Sequence, residues 1–147
     1  MFMESPVGLL KIVDDNQAIT EIGFCEEKTE ETYSDLSSLC ILQLQEYFAG
    51  KRKVFTLPLA PLGTPFQRRV WEALCQIPYG ETKCYQEIAI MVGNEKASRA
   101  VGLANNKNPI SIVIPCHRVI GKNGSLVGYG GGLNNKTTLL ILEQSFK

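Results

Sequence analysis

Cys116 and His117 stand side by side at the end of an apolar, β-branched run, Ile112-Val113-Ile114-Pro115, expected to be a buried strand, and Arg118 follows directly. A cysteine attacks as the thiolate, so it needs an electropositive setting or a base to take its proton, against an ordinary pKa of about 8.5. His117 and Arg118 offer both. Adjacent side chains in a helical turn do not face each other, so His117 is expected to reach Cys116 through a bridging water. An imidazole acting as base needs a third group to fix its tautomer. Glu143 is the only acid after Glu95 and lies on a helix predicted from Leu133 to about Glu143, which makes it the candidate. An inert core cysteine would show the same local pattern, because free cysteines are commonly buried. Chemistry alone leaves both readings open.

The chain that must position these residues has 147 residues, 44% apolar and 20% charged, enough for one compact domain or two small ones sharing an interface. No apolar run approaches the roughly 20 residues of a bilayer span, and Met1-Phe2-Met3-Glu4 is not a secretory leader. No membrane association is expected. Cys25, Cys40, Cys75, Cys84 and Cys116 form an odd, scattered set, which suits reduced thiols in a cytoplasm better than a disulfide framework. With one histidine and no Cys-x-x-Cys pair, metal-ligand spacing is absent. The net charge of zero hides a division. Residues 1–60 carry ten acids against five bases, and residues 61–147 carry ten bases against five acids. The positive field therefore belongs to the half with the cysteine, as a polyanionic substrate would require.

The first 60 residues read as a structural domain, with short strands at Met1 to Met3, Leu9 to Asp14 and Ala18 to Phe24 and turns at Ser5-Pro6-Val7-Gly8 and Asp14-Asp15-Asn16-Gln17. Leu36, Cys40, Leu44, Tyr47 and Phe48 recur at helical spacing before Gly50, so one helix should cover the sheet. A further strand is expected over Val54 to Leu59, and Lys51-Arg52-Lys53 reads as a solvated basic run. Ala60-Pro61-Leu62-Gly63 is the linker into a second domain, residues 61–147.

That domain should open with Thr64 as N-cap and Pro65 at the first helical position, with Trp71 in its core. Tyr85 to Val92, the turn Gly93-Asn94 and Lys96 to Asn106 then form helix, turn and helix, the pattern of a DNA-binding helix-turn-helix and also of an ordinary helical hairpin. Ala97, Ser98, Ala100, Gly102 and Ala104 make the second helix small-sided, with Arg99 projecting among them. Such a surface suits the minor groove, read for shape, better than base-specific readout of the major groove. After the cysteine, Gly128-Tyr129-Gly130-Gly131-Gly132 is a loop whose amides could donate to a base oxygen while Tyr129 walls a pocket. The fold class expected is α+β: a small N-terminal antiparallel sheet with a covering helix, then a mainly helical, winged-helix-like domain.

Pro115-Cys116-His117-Arg118-Val119, followed by Gly128-Tyr129 and Gly131-Gly132-Leu133, resembles the acceptor site of the O6-alkylguanine-DNA alkyltransferases. Gly63 to Gln67, Ile77 to Thr82, Tyr85 to Ala89, Ala97 to Gly102 and Asn108-Pro109 extend the resemblance over nearly all of residues 63–143. It implies irreversible, stoichiometric transfer of an alkyl group from O6-alkylguanine in double-stranded DNA to Cys116, with O4-alkylthymine as a second candidate substrate. The nucleotide would be flipped out from the minor groove, because its alkylated edge is inaccessible within the duplex.

By the same resemblance, Tyr85 donates to the ring nitrogen of the departing guanine and Lys136 supports that tyrosine. Asn108 ties the recognition helix to the cysteine loop. The Val119 carbonyl accepts from the exocyclic amine, the Gly130 N–H donates to the oxygen, and Tyr129 and Gly131 complete the base pocket. Tyr85, Ala97, Ser98, Arg99, Ala100, Gly102 and Lys107 are the expected DNA contacts. No cofactor is implied, since the protein is itself the acceptor, and a monomer is expected. Some relatives hold zinc in the first domain, but that ligand pattern is absent here. Ser111 stands where some relatives have proline and Gly130 where some have serine, which leaves pocket width open. A non-catalytic lesion binder would lack Cys116. A winged-helix regulator, with residues 121–132 as its wing, would not need the thiol, and a cysteine hydrolase would turn over.

Overall fold

The computed structural model describes residues 1–124, 129 and 132–147. Three antiparallel strands, β1 (Phe2–Ser5), β2 (Gly8–Asp14) and β3 (Ile19–Cys25), form a sheet in the order β1-β2-β3. The registers Met3↔Leu10 and Ile12↔Ile22 place Leu10, Ile12 and Ile22 in the core. Helix α1 (Asp35–Phe48) covers this face with Cys40, Leu44 and Tyr47, one helical turn apart and fully buried. Ser34 caps α1 by accepting from the Ser37 N–H. The Ser34 and Ser37 hydroxyls both donate to Asp14, which fastens the start of the helix to the end of β2 and holds the Asp14 carboxyl below its ordinary range.

Two expected strands are not strands. Between Val54 and Leu59 only Leu59 pairs, in a parallel bridge to Ile19. Pro58 has no N–H to give a ladder, and Thr56 is held by the Gln43 amide, which accepts from its N–H at 3.0 Å and donates to its hydroxyl at 2.8 Å. The run before the cysteine likewise forms no ladder: Ile110 bridges to Ile22, Ser111 bridges to Ile114, and the chain turns between them. Ile112 sits at φ 74°, and Val113 N–H and Ile114 N–H donate back to Ser111 and Ile110. A β-branched residue rarely adopts that conformation. Its β-branched character serves burial, with Ile112 and Ile114 both closed to solvent, rather than sheet pairing.

In the second half, Thr64 and Gln67 form a reciprocal capping box at the start of α2 (Pro65–Leu74), with Pro65 in the first turn, as its sequence predicts. A two-residue strand β4 (Lys83–Cys84) leads into α3 (Tyr85–Met91), and α4 (Ser98–Asn106) follows Gly93 and Asn94. Helix α4 starts two residues later than its periodicity suggests, because Asn94 accepts from the Lys96 and Ala97 N–H groups and holds that stretch as a turn. Trp71, in the core as expected, donates its indole N–H to the Ala104 carbonyl at 2.9 Å and so joins α2 to α4. The cysteine turn is a single 3-10 turn (Cys116–Arg118), followed by β5 (Val119–Ile120), which pairs in parallel with β4, and by α5 (Leu133–Ser145). One apolar cluster, including Leu10, Leu44, Trp71, Ile114 and Leu139, runs through both halves.

Replacing Trp71 by Phe removes the buried bond to α4 while keeping an aromatic ring. Its unfolding free energy should fall by about 1–3 kcal/mol in urea titration. An unchanged midpoint would show that α2 and α4 do not depend on that bond.

Candidate active site

The parallel pairing Lys83↔Val119 and Cys84↔Ile120 sets the first residue of α3, Tyr85, against the cysteine turn. Burial, and after it the charge Cys116 carries as a thiolate, push the Tyr85 phenol above its ordinary range. Asn108, two residues beyond α4, donates its amide to the Ile114 carbonyl at 2.8 Å and accepts from the Ile110 N–H at 3.0 Å, so its side chain spans the loop before Cys116. Asn105, one turn earlier, reaches the Cys116 carbonyl at 3.4 Å and was not anticipated. Lys136 on α5 is buried and donates to the Val119 carbonyl. That oxygen has a second lone pair for another donor. Tyr129 is buried beside Cys116 and packs edge-on against Phe24, with ring centroids 6.0 Å apart. Gly130 and Gly131 lie outside the described residues. A cavity of about 320 Å³ touches Pro115, Arg118, Tyr79 and Lys53 but not Cys116, so it backs the turn rather than opening onto the sulfur.

Glu143 lies where the sequence puts it, against His117. Its Oε2 accepts from His117 Nε2 at 2.7 Å, from the Tyr47 hydroxyl at 2.6 Å and from Arg118 Nη2 at 3.0 Å. Its Oε1 accepts from Arg118 Nε at 2.9 Å and from the Gly80 N–H at 3.2 Å. Arg118 also donates to the Ile77 carbonyl at 2.7 Å. The guanidinium is therefore committed to the carboxylate, not to the thiol, which corrects its expected part in activating Cys116. Tyr47 and Gly80 were missed because neither carries a local signature. Gly80 does stand at φ 80°, which glycine alone adopts without strain and which aims its N–H at Glu143.

On the helix-turn-helix, Arg99, Ala100 and Lys107 are exposed, and Ala97 and Ser98 are half-buried. A Cβ at Gly102 would touch the Tyr85 ring at 3.8 Å, so this glycine faces the tyrosine. Ala104 is buried under Trp71 and drops out of the small-sided surface, whereas Leu103 adds an exposed apolar side chain. Among the described residues no group of three or more His, Cys, Asp or Glu could hold a metal ion.

Residues 65–145 match the model of the DNA-binding domain of 6-O-methylguanine DNA methyltransferase, and residues 1–61 match that of its ribonuclease-like domain. The methylated-DNA–protein-cysteine methyltransferase of Methanosarcina acetivorans is 50% identical over 97% of this chain and 96% of its own. That of Mycobacterium leprae is 47% identical over 97% and 90%. This chain belongs to the methylated-DNA–protein-cysteine methyltransferase family. The structure of Mycobacterium tuberculosis OGT in complex with DNA superposes with a TM-score of 0.89 at 47% identity, over 99% of this chain and 92% of that one. An O6-methylguanine DNA methyltransferase from Methanococcus jannaschii gives 0.72 at 26% identity, over 98% and 93%.

The methyltransferase site holds its charges in an order set by burial. Burial pushes the Cys116 thiol up to about 11, although the Asn108 amide and the Lys136 ammonium pull the other way. The resting nucleophile is thus a thiol. Burial works against ionisation of Glu143 too, but hydrogen bonds and charge from His117 and Arg118 more than offset it and bring the carboxyl down to about 2. Burial keeps His117 below its ordinary value despite Glu143. An ionised carboxylate only accepts, so Nε2 carries the proton, and Nδ1 is left as a buried nitrogen without a partner among the described residues. That nitrogen is a base one residue from the thiol.

Both shifts favour folding above the unfolded-state values and are lost as the pH falls. His117 stays neutral while the unfolded imidazole protonates below 6.5, and Glu143 stays ionised while the unfolded carboxyl protonates below 4.5, until about pH 2. The urea midpoint should therefore drop as pH falls from 7 to 4.5 and drop further below 4.5. A midpoint level across this range would refute the buried pair.

Proposed function

We propose that this protein repairs DNA by direct damage reversal, taking the alkyl group of O6-alkylguanine irreversibly onto Cys116. The observation that carries this reading is the line Cys116, His117, Glu143 in a member of this family, next to an exposed Arg99 on a small-sided helix. His117 Nδ1 takes the thiol proton through a water as sulfur attacks the alkyl carbon. The carbon–oxygen bond breaks and its electron pair goes to guanine. Guanine leaves poorly as an anion, so a hydrogen bond from Tyr85 to its ring nitrogen lowers the barrier, and guanine takes up one proton overall, which balances the one that Cys116 gave to His117. The Val119 carbonyl and the Gly130 N–H hold the guanine edge, with Tyr129 and Gly131 around it, and Lys136 supports Tyr85. Arg99 fills the space that the extruded nucleotide leaves, while Ala97, Ser98, Ala100, Gly102 and Lys107 line the minor groove.

O4-alkylthymine is a second candidate substrate. The protein acts once, needs no cofactor and works as a monomer on double-stranded DNA. None of its described helices is long and apolar enough to cross a membrane, and its five unpaired thiols suit a cytoplasmic setting.

Incubation with a duplex containing O6-methylguanine should add one CH₂, about 14 Da, to Cys116 in the intact-mass spectrum, and Cys116→Ala should bind the duplex without gaining mass. Mass that returns to its starting value with time would identify a hydrolase instead. Tyr85→Phe should slow the single-turnover rate about tenfold or more, the scale of one lost transition-state hydrogen bond. An unchanged rate would remove Tyr85 from the reaction.

A further inference from the structure

Tyr47 belongs to the half of the chain that carries no chemistry, 96 residues from Glu143, yet its hydroxyl donates to Glu143 Oε2 at 2.6 Å. Its ring is fully buried, edge-on to Phe48 and Tyr79 at 5.3 and 6.1 Å and tilted against Phe55 at 5.5 Å. A core tyrosine needs only some acceptor, and any buried carbonyl would serve. This one ends on the same oxygen that orients His117. Burial and the Glu143 charge push its phenol far above the ordinary range, so it stays a donor throughout the working pH range.

We propose that Tyr47 is a positioning residue of the transfer reaction: its hydroxyl holds Glu143 Oε2 in place and limits the negative charge that His117 feels. A strong O–H donor on a carboxylate oxygen withdraws charge from it, so Oε2 pulls less on the Nε2 proton and the far nitrogen of the ring is a weaker base. The other groups facing this pair are Arg118 on the same turn, Lys136 from α5, and Tyr79 and Gly80 from the loop after α2. Only Tyr47 comes from the N-terminal layer. That layer thereby joins the proton relay instead of serving as scaffold alone. This inference rests on the reading of His117 as the base that takes the Cys116 proton.

The test is the pH dependence of single-turnover methyl transfer by the full chain at saturating O6-methylguanine duplex. Tyr47→Phe keeps the ring and loses only the hydroxyl. The acid limb of its profile, set by protonation of His117, should move to higher pH by about half a unit or more, with duplex affinity within about twofold of the parent. Phe48→Leu, which loosens the same aromatic cluster without touching the hydroxyl, should leave the limb in place. An acid limb unmoved in Tyr47→Phe, or moved equally by Phe48→Leu, would overturn the proposal. The unsubstituted chain gives a second readout. Its Tyr47 hydroxyl proton should appear in the NMR spectrum as a slowly exchanging downfield line with cross-relaxation to the His117 Nε2 proton, and the absence of that line would also overturn it. Failure of the parent protein to gain mass would instead defeat the functional reading on which the inference rests.

Discussion

One carboxylate, that of Glu143, organises the molecule. Burying a charge costs several kcal/mol unless donors replace the lost water, and removing a partner from such a pair is strongly destabilising. Here five donors converge on the two oxygens from α1, the Gly80 loop and the cysteine turn, while α5 supplies the acid itself. Any displacement of these elements would leave a bare charge in the core. The carboxylate thus fixes the positions of four separate segments and, through His117 Nε2, the tautomer of the imidazole beside Cys116.

The second constraint is backbone geometry around the acceptor. The chain leaves the edge of β3 at Ile110, reverses at Ile112 in a left-handed conformation, and enters the 3-10 turn at Cys116. Asn108 braces this loop from within, Asn105 binds it to α4, and the short β4–β5 pair binds it to the start of α3. Both arms of the helix-turn-helix are therefore tied to the backbone of the loop that carries the sulfur. A nucleotide extruded against α4 would arrive at a thiol already held at the correct depth. The cost is that burial keeps the thiol protonated at rest.

Local signals were legible where local chemistry decides the structure. The Thr64-Pro65 cap, the helix ending near Gly50, the Gly93-Asn94 turn and the Cys116-His117 pair with Glu143 could all be placed from residue types and spacing. Two apolar runs were misread as strands. A β-branched stretch has the same composition whether it pairs in a sheet or only fills a core, and proline at 58 and a left-handed turn at 112 decide the matter through geometry that composition does not encode. Partners distant in sequence were invisible for a related reason. Tyr47 looks like any apolar-face residue of α1 until the fold brings its hydroxyl to Glu143, and Arg118 looks like an activator of its neighbour until the same carboxylate claims it. Asn105 likewise looks like a helix-end polar residue, and only the turn beneath it gives its amide a purpose.

The central claim is a statement about one proton on one ring, and the chain has a single histidine. Long-range ¹H–¹⁵N correlation spectra of the uniformly labelled protein at neutral pH report that ring without ambiguity. The account predicts a neutral imidazole with Nε2 protonated and Nδ1 bare, unchanged as the pH is lowered through the ordinary histidine range. A ring protonated on Nδ1, or an imidazolium titrating as a free histidine would, would contradict it.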